Sequence, residues 1–286
     1  MRRLLTALFT LFLASTMFAQ LGLNILPKKE DLKDFTGKTT KIVLSEDNSL
    51  LSSLLRDAVE KNWYLSPFEY CSMEEFEKIK TDTTYYFLIV VNGQHSKENE
   101  PAMEFLTLVK GNPAASKSVD EMGDIITLPL QSINSEDDRV FSYLPAYIKI
   151  VQAHVLKCIK DNLSAYIGMS SYSSNINDVE GTNLLMAKED LSSKVSDSFF
   201  KESFGKHAQL VDREYIETAL QNHSKGVLVS LTLSPEINQR GSYCYKMIIS
   251  ADKMELMFYR KHKISTKNPR GFLVEDIKRI SVPYKL

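Results

Sequence analysis

Cysteine is scarce and odd in number. Cys71, Cys158 and Cys244 lie far apart, so they build no disulfide framework, and the absence of a CxxC pair removes the usual zinc and dithiol motifs. Each sits beside apolar or aromatic neighbours, which reads as a buried free thiol. Charge of one sign is also lacking. Lys and Arg total 35 against 36 Asp and Glu, a net charge of −1, which gives no general attraction to nucleic acid. There is no GxSxG elbow, no phosphate-binding Walker loop, no HExxH and no dinucleotide-type glycine set. No catalytic residue, metal or cofactor is therefore expected, and an enzyme would have to be a hydrolase whose groups are scattered along the chain.

What is present begins with the amino terminus. Arg2 and Arg3 precede an apolar run over residues 4–14, and small residues Ser15, Thr16 and Ala19 follow before Gln20. A positive start, a short apolar core and a small residue at its end form a secretion signal, with the cut expected after Ala19. The run is shorter than the roughly 20 residues needed to cross a bilayer. The expectation is a periplasmic or secreted protein with no transmembrane segment after cleavage. The Ala-Gln junction after an apolar run resembles secreted proteins of the Bacteroidetes group, a resemblance that implies a source and no function.

The mature chain of about 267 residues has ordinary globular composition, 43% hydrophobic and 25% charged. Residues 20–40 read as a lead-in segment, with Leu23, Ile25 and Leu26 docked on the body. A strand at Ile42-Val43-Leu44 is followed by Leu50, Leu51, Leu54, Leu55, Ala58 and Val59 on one helical stripe, capped at Asp47 or Asn48. A second strand lies at 68–71. Ser72 and Glu75 make a capping box for a short helix with Phe76 and Ile79 inward. A central strand over 85–91 is expected to break at Asn92-Gly93, and strands over 103–109 and 125–130 follow. The same order recurs from Leu184-Leu185-Met186. A helix with Val195, Phe199, Phe200 and Phe204 stops at Gly205. A strand at 207–211, a helix capped by Asp212, and strands at 227–233, 243–250 and 255–260 complete it.

Spacing repeats along with order. Ile42 to Tyr85 is 43 residues, as is Leu184 to Val227, and Leu54, Ala58 and Val59 map onto Val195, Phe199 and Phe200 at an offset of 141. The pattern predicts an internal duplication. The fold class is α/β with mixed sheets: two similar βαβαβββ modules in tandem, joined by a long helix and a polar linker. The first module spans 41–163 and ends in a helix over 142–162. The linker covers 164–182, and the second module covers 183–286, closed by a helix or strand after Gly271. With two helices per sheet, one face of each is expected to be open, free to pack on the other module or on a partner. The helix before Val227 and the hairpin returning at Tyr243 resemble the small α/β domains of envelope proteins such as the amino-terminal domain of TolB. That resemblance implies topology alone, and no propeller repeats follow it here.

Candidate sites are few. From Met257 onward there are eight Lys or Arg and two acidic residues. Within that stretch Arg260, Lys261, Lys263, Lys267 and Arg270 are the candidates for gripping an anionic group or a partner; their bland reading is a solubilising loop and a basic strand edge. His95, near Glu98 and Glu100, reads as part of a solvated loop, His154 as a helix-surface residue and His223 as part of a turn. His207, Asp212 and Glu214 read as structural, and Glu136-Asp137-Asp138 as acids favoured at a helix start rather than as a calcium site. The functional expectation is a non-enzymatic exported protein that binds an envelope protein or anionic envelope component. The alternative is a two-lobed binder with a small molecule held between the modules.

Overall fold

The structure, a computed structural model, describes residues 18–20, 32–45, 49–116, 119–133, 135–161, 167–173, 176 and 179–285. The secretion signal falls almost wholly outside these residues, as do Leu23, Ile25, Leu26, the cap at Asp47 or Asn48 and parts of the linker. Among the described residues no helix is long and apolar enough to cross a membrane.

The first sheet contains β1 (Phe18–Gln20), β2 (Thr40–Leu44), β3 (Phe68–Ser72), β4 (Tyr86–Gln94), β5 (Met103–Lys110) and β6 (Asp124–Ser132), in the order β3-β2-β4-β5-β6. The second contains β7 (Asn183–Ala187), β8 (Ala208–Val211), β9 (Val227–Leu233), β10 (Tyr243–Ser250) and β11 (Leu256–Lys263), in the order β8-β7-β9-β10-β11. In both, the first three strands are mutually parallel and the last two antiparallel. The orders are the same, so the duplication read from spacing is present in three dimensions. Register agrees as well. The six pairs from Phe87↔Val109 to Asn92↔Glu104 recur 141 positions on as Leu228↔Ser250 to Leu233↔Tyr245.

The helices follow the same plan. In the first module α1 (Ser49–Asn62) and α2 (Met73–Ile79) connect the parallel strands, and α3 (Leu144–Lys160) follows the last strand. In the second, α4 (Asp197–Phe204), α5 (Arg213–Gln221) and α6 (Val274–Ser281) take the corresponding places. α3 packs on α1 as α6 packs on α4. The Ser72–Glu75 capping box forms, Pro145 occupies the first turn of α3, and Gly205 ends α4 at φ 58°. Asp212 stands at the N-cap of α5 but makes no capping bond; its carboxylate meets Lys188 at 3.4 Å.

Several sequence expectations are corrected. β4 does not break at Asn92-Gly93, because both residues pair with β5 on one side and with β1 on the other. Leu32 and Phe35 dock the lead-in, with Phe35 against Tyr86 and Trp63. Val195 precedes α4 rather than lying in it, because Ser196 takes the cap by accepting from the Phe199 N–H.

The face that the second sheet was expected to leave open is taken up by the other module rather than by a partner. One face of the second sheet, carrying Leu185, Val229, Leu231, Met247 and Ile249, joins the core of the first module. Its other face packs Leu184, Met186, Leu228 and Ile248 under α4 and α6. Burying one such aliphatic side chain is worth about 1.5–3 kcal/mol, so a shared face of this size welds the modules together. α3 lies inside the joint core and is buried nearly all round. Tyr143, just before it, donates to the Ser230 carbonyl of the second sheet at 2.6 Å, and Tyr147 donates to the Pro129 carbonyl of the first at 2.8 Å.

Candidate functional site

Open α/β sheets bind ligands outside the carboxyl ends of their strands, where the strand order reverses. In the second module that point lies past the ends of β7 and β9. Here the polar residues differ from those of the first module. The shared register sets Ser230 where the first module has Ile89, Thr232 for Val91 and Lys246 for Phe105. An apolar side chain suits each position in one copy. A buried polar group there costs stability unless it is hydrogen-bonded, and in the second copy each one is.

Asp190, just past β7 and fully buried, is the hub. Its Oδ2 accepts from Ser230 Oγ at 2.6 Å, and its Oδ1 accepts from the Thr232 N–H at 3.1 Å. Arg213, from the first turn of α5, reaches the same carboxylate at 3.4 Å and gives its Nε to Glu189 at 2.6 Å. Burial pushes the Asp190 carboxyl above its ordinary range, and the Arg213 charge and the Ser230 bond only partly oppose this. Burial also raises Glu189, but Arg213 more than cancels the effect, and that carboxyl ends below its ordinary value. Arg213 Nη1 is buried and has no hydrogen-bond partner among the described residues.

Beside this array is a cavity of about 210 Å³ at the junction of the modules. Its buried lining, the floor, is Leu130 and Val140 from the first module with Thr232, Leu233 and Gly271 from the second, and its more exposed lining forms the rim. Its rim is charged: Asp137 and Arg139 from the first module face Glu189, Glu236 and Arg270 from the second. A shallower groove of about 750 Å³ continues from it past Arg270 to Ile264 and Thr266. The backbone turn under the cavity requires glycine. Gly271 has φ +95°, and a Cβ there would lie 2.5 Å from the Ser192 nitrogen.

No family model, curated protein or solved structure matches the chain. The site therefore rests on its own geometry.

The five basic residues singled out from sequence do not converge on one point. Arg260 turns to α6, meeting Asp276 at 2.7 Å and Glu275 at 3.5 Å. Lys261 holds its ammonium 5.4 Å from the Tyr243 ring centre, and desolvation lowers its pKa. Lys263 and Lys267 are exposed, and the Lys267 carbonyl accepts from Lys194 Nζ at 2.8 Å. Arg270 alone lines the cavity and groove. Its guanidinium donates to the Pro235 carbonyl, to the Glu236 carbonyl at 2.6 Å and to Asn238 Oδ1 at 3.0 Å, fixing the β9–β10 loop.

His95 and His154 depart from their sequence readings. His95 is buried rather than solvated, and its Nε2 lies 2.6 Å from the Tyr245 hydroxyl of the other module. Its loop meets the β9–β10 loop, where Gln239 Oε1 accepts from the Asn99 N–H at 2.9 Å. Burial, and then the Lys261 charge, depress the His95 pKa to about 4. His154 is buried inside α3 rather than on its surface, 3.4 Å from Cys158 Sγ and 3.3 Å from the Tyr172 hydroxyl. Burial lowers His154 to about 4 and raises Cys158 to about 11, the reverse of what a thiolate–imidazolium nucleophile needs. His207 stacks near Tyr284, away from Asp212, and Asp137 of the acidic triplet pairs with Arg139. Among the described residues no group of three His, Cys, Asp or Glu could hold a metal ion.

Proposed function

We propose that this chain is an exported, non-enzymatic binding protein that holds a small polar ligand in the cavity between its two modules. One observation carries the reading. The cavity stands at the carboxyl ends of β7 and β9, takes its walls from both modules, and is backed by polar residues that the first module lacks. The two-lobed binder is favoured over a partner-binding sheet face because both faces of the second sheet carry buried cores. Export rests on the amino-terminal pattern of Arg2, Arg3 and the apolar run ending near Ala19.

A ligand that binds only the folded chain stabilises it, by about 2.7 kcal/mol at one hundred times its Kd. For a chain of this size that raises Tm by roughly 5–11 °C. The test is a thermal-shift screen of small polar molecules against the mature chain and against Ser234→Trp, which fills the cavity from its wall. Hits that stabilise the parent and not the Trp variant support the site. Equal shifts in both, or no hit across the screen, would sink it. Amino-terminal sequencing of protein recovered from the cell exterior or periplasm tests export, and a chain that keeps Met1 would refute the signal.

A further inference from the structure

We propose that the ligand of the junction cavity is a small zwitterion with the chemistry of a free α-amino acid. This rests on the reading of the cavity as a binding site and adds the class of molecule it takes. Size is the first constraint. The cavity measures about 210 Å³; one of about 150 Å³ admits a benzene ring. A single residue-sized molecule fits it.

The second constraint is the division between floor and rim. Leu130, Val140 and Leu233 give the floor an apolar patch that suits an aliphatic side chain. The rim carries both signs of charge within one small opening: Arg139 and Arg270 against Asp137, Glu189 and Glu236. A purely anionic ligand would meet three carboxylates there, and a purely cationic one two guanidinium groups. A molecule with ammonium and carboxylate on one carbon can face both signs at once while its side chain points to the floor.

Third, the rim is pre-ordered. Arg139 Nε is buried in an ion pair with Asp137, which holds the guanidinium in place. Its terminal nitrogens, away from that pair, are assigned to the ligand carboxylate, which a guanidinium fork recognises with two parallel bonds. Glu236 is held from two sides. Its Oε1 accepts from Ser135 Oγ of the first module at 2.5 Å, and its N–H donates to Ser132 Oγ at 3.0 Å. Arg270 clamps the same loop through the Pro235, Glu236 and Asn238 oxygens. Glu236 is thus a positioned carboxylate for the ligand ammonium, and its fixed loop lowers the ordering cost of binding.

The test measures binding of leucine, leucinamide and N-acetylleucine to the mature chain by calorimetry, beside Arg139→Gln, Glu236→Gln and Ser234→Trp. Leucinamide keeps only the ammonium and N-acetylleucine only the carboxylate. The expected result is binding of leucine at least about tenfold tighter than either analogue. Arg139→Gln should erase the preference over leucinamide, and Glu236→Gln the preference over N-acetylleucine. This crossed pattern cannot come from partial unfolding, which would weaken all three ligands alike. Analogues that bind as well as leucine, or leucine that fails to bind while other hits of the screen respect Ser234→Trp, would overturn the zwitterion and leave the cavity standing. Leucine binding that Ser234→Trp does not reduce would overturn both.

Discussion

Changing Asp276 to Asn should cost more stability than changing its partner Lys246 to Met, and the difference follows from what each change leaves behind. Lys246 Nζ and Asp276 Oδ2 are 2.5 Å apart, with the two side chains 1% and 0% exposed. Asp276 has two further donors, Arg260 Nη1 at 2.7 Å and the Leu273 N–H at 2.9 Å. Lys246→Met therefore removes one charged hydrogen bond but leaves the carboxylate neutralised, a loss of about 1.5–3 kcal/mol. Asp276→Asn strands a buried ammonium with a neutral amide and is expected to cost about 3–5 kcal/mol. That corresponds to a fall in Tm of roughly 6–20 °C for a chain this long. A double change, Lys246→Phe with Asp276→Leu, should recover much of the loss, because Phe105 already fills the matching position in the first module. The assay is urea unfolding followed by the fluorescence of Trp63, the single tryptophan. Trp63 lies in the first module and the mutations in the second, so its transition moves only if the shared core unfolds as one unit. A Lys246→Met loss equal to or larger than that of Asp276→Asn, or a Trp63 transition that ignores both, would refute the reasoning.

Other outcomes are equally specific. His95 and His154 both titrate near 4 in the fold against about 6.5 unfolded, so the folded state binds fewer protons. Their contribution is complete above pH 6.5 and is lost as pH falls through 4; His95→Gln should flatten the stability profile between those values, and an unchanged profile would count against the buried neutral imidazole. Gly271→Ala must push a Cβ onto the 190–192 backbone at a positive φ, so a loss of at least about 2 kcal/mol is expected in thermal melts. Burial holds Cys71, Cys158 and Cys244 at about 11. A thiol reagent at pH 8 should modify none of them in the native chain and all three in denaturant; one rapidly reacting thiol would contradict their placement.

The architecture was legible because it is written in burial rhythm. Strand runs such as Ile42-Val43-Leu44 and Leu184-Leu185-Met186, and helix positions such as Ala58 and Val59 matched by Phe199 and Phe200, stay apolar across the duplication, even though residue identity does not survive. What failed was the reading of polar residues with distant partners. His95 looks solvated beside Glu98, yet its partner Tyr245 lies 150 positions away. His154 reads as the wet side of α3 but meets Tyr172, and its buried neighbour Gln152 ties the 62–65 turn, accepting from the Tyr64 and Leu65 N–H groups. The cavity draws on several separate stretches of chain, so no local pattern announces it. A usable hint did exist: Ser230, Thr232 and Lys246 are lone polar residues within otherwise apolar strands, and the first copy has apolar residues at the matching places.

α3 has a practical consequence for anyone dividing the gene. It follows the first sheet in sequence but also serves the second, so a plasmid encoding 183–286 alone would yield a sheet with its greasy inner side bare, prone to inclusion bodies. Splitting the chain beyond Lys160 and co-producing both pieces keeps α3 attached to its own sheet and lets the second fragment find the helix it needs, which makes this protein a natural candidate for reassembly from two parts.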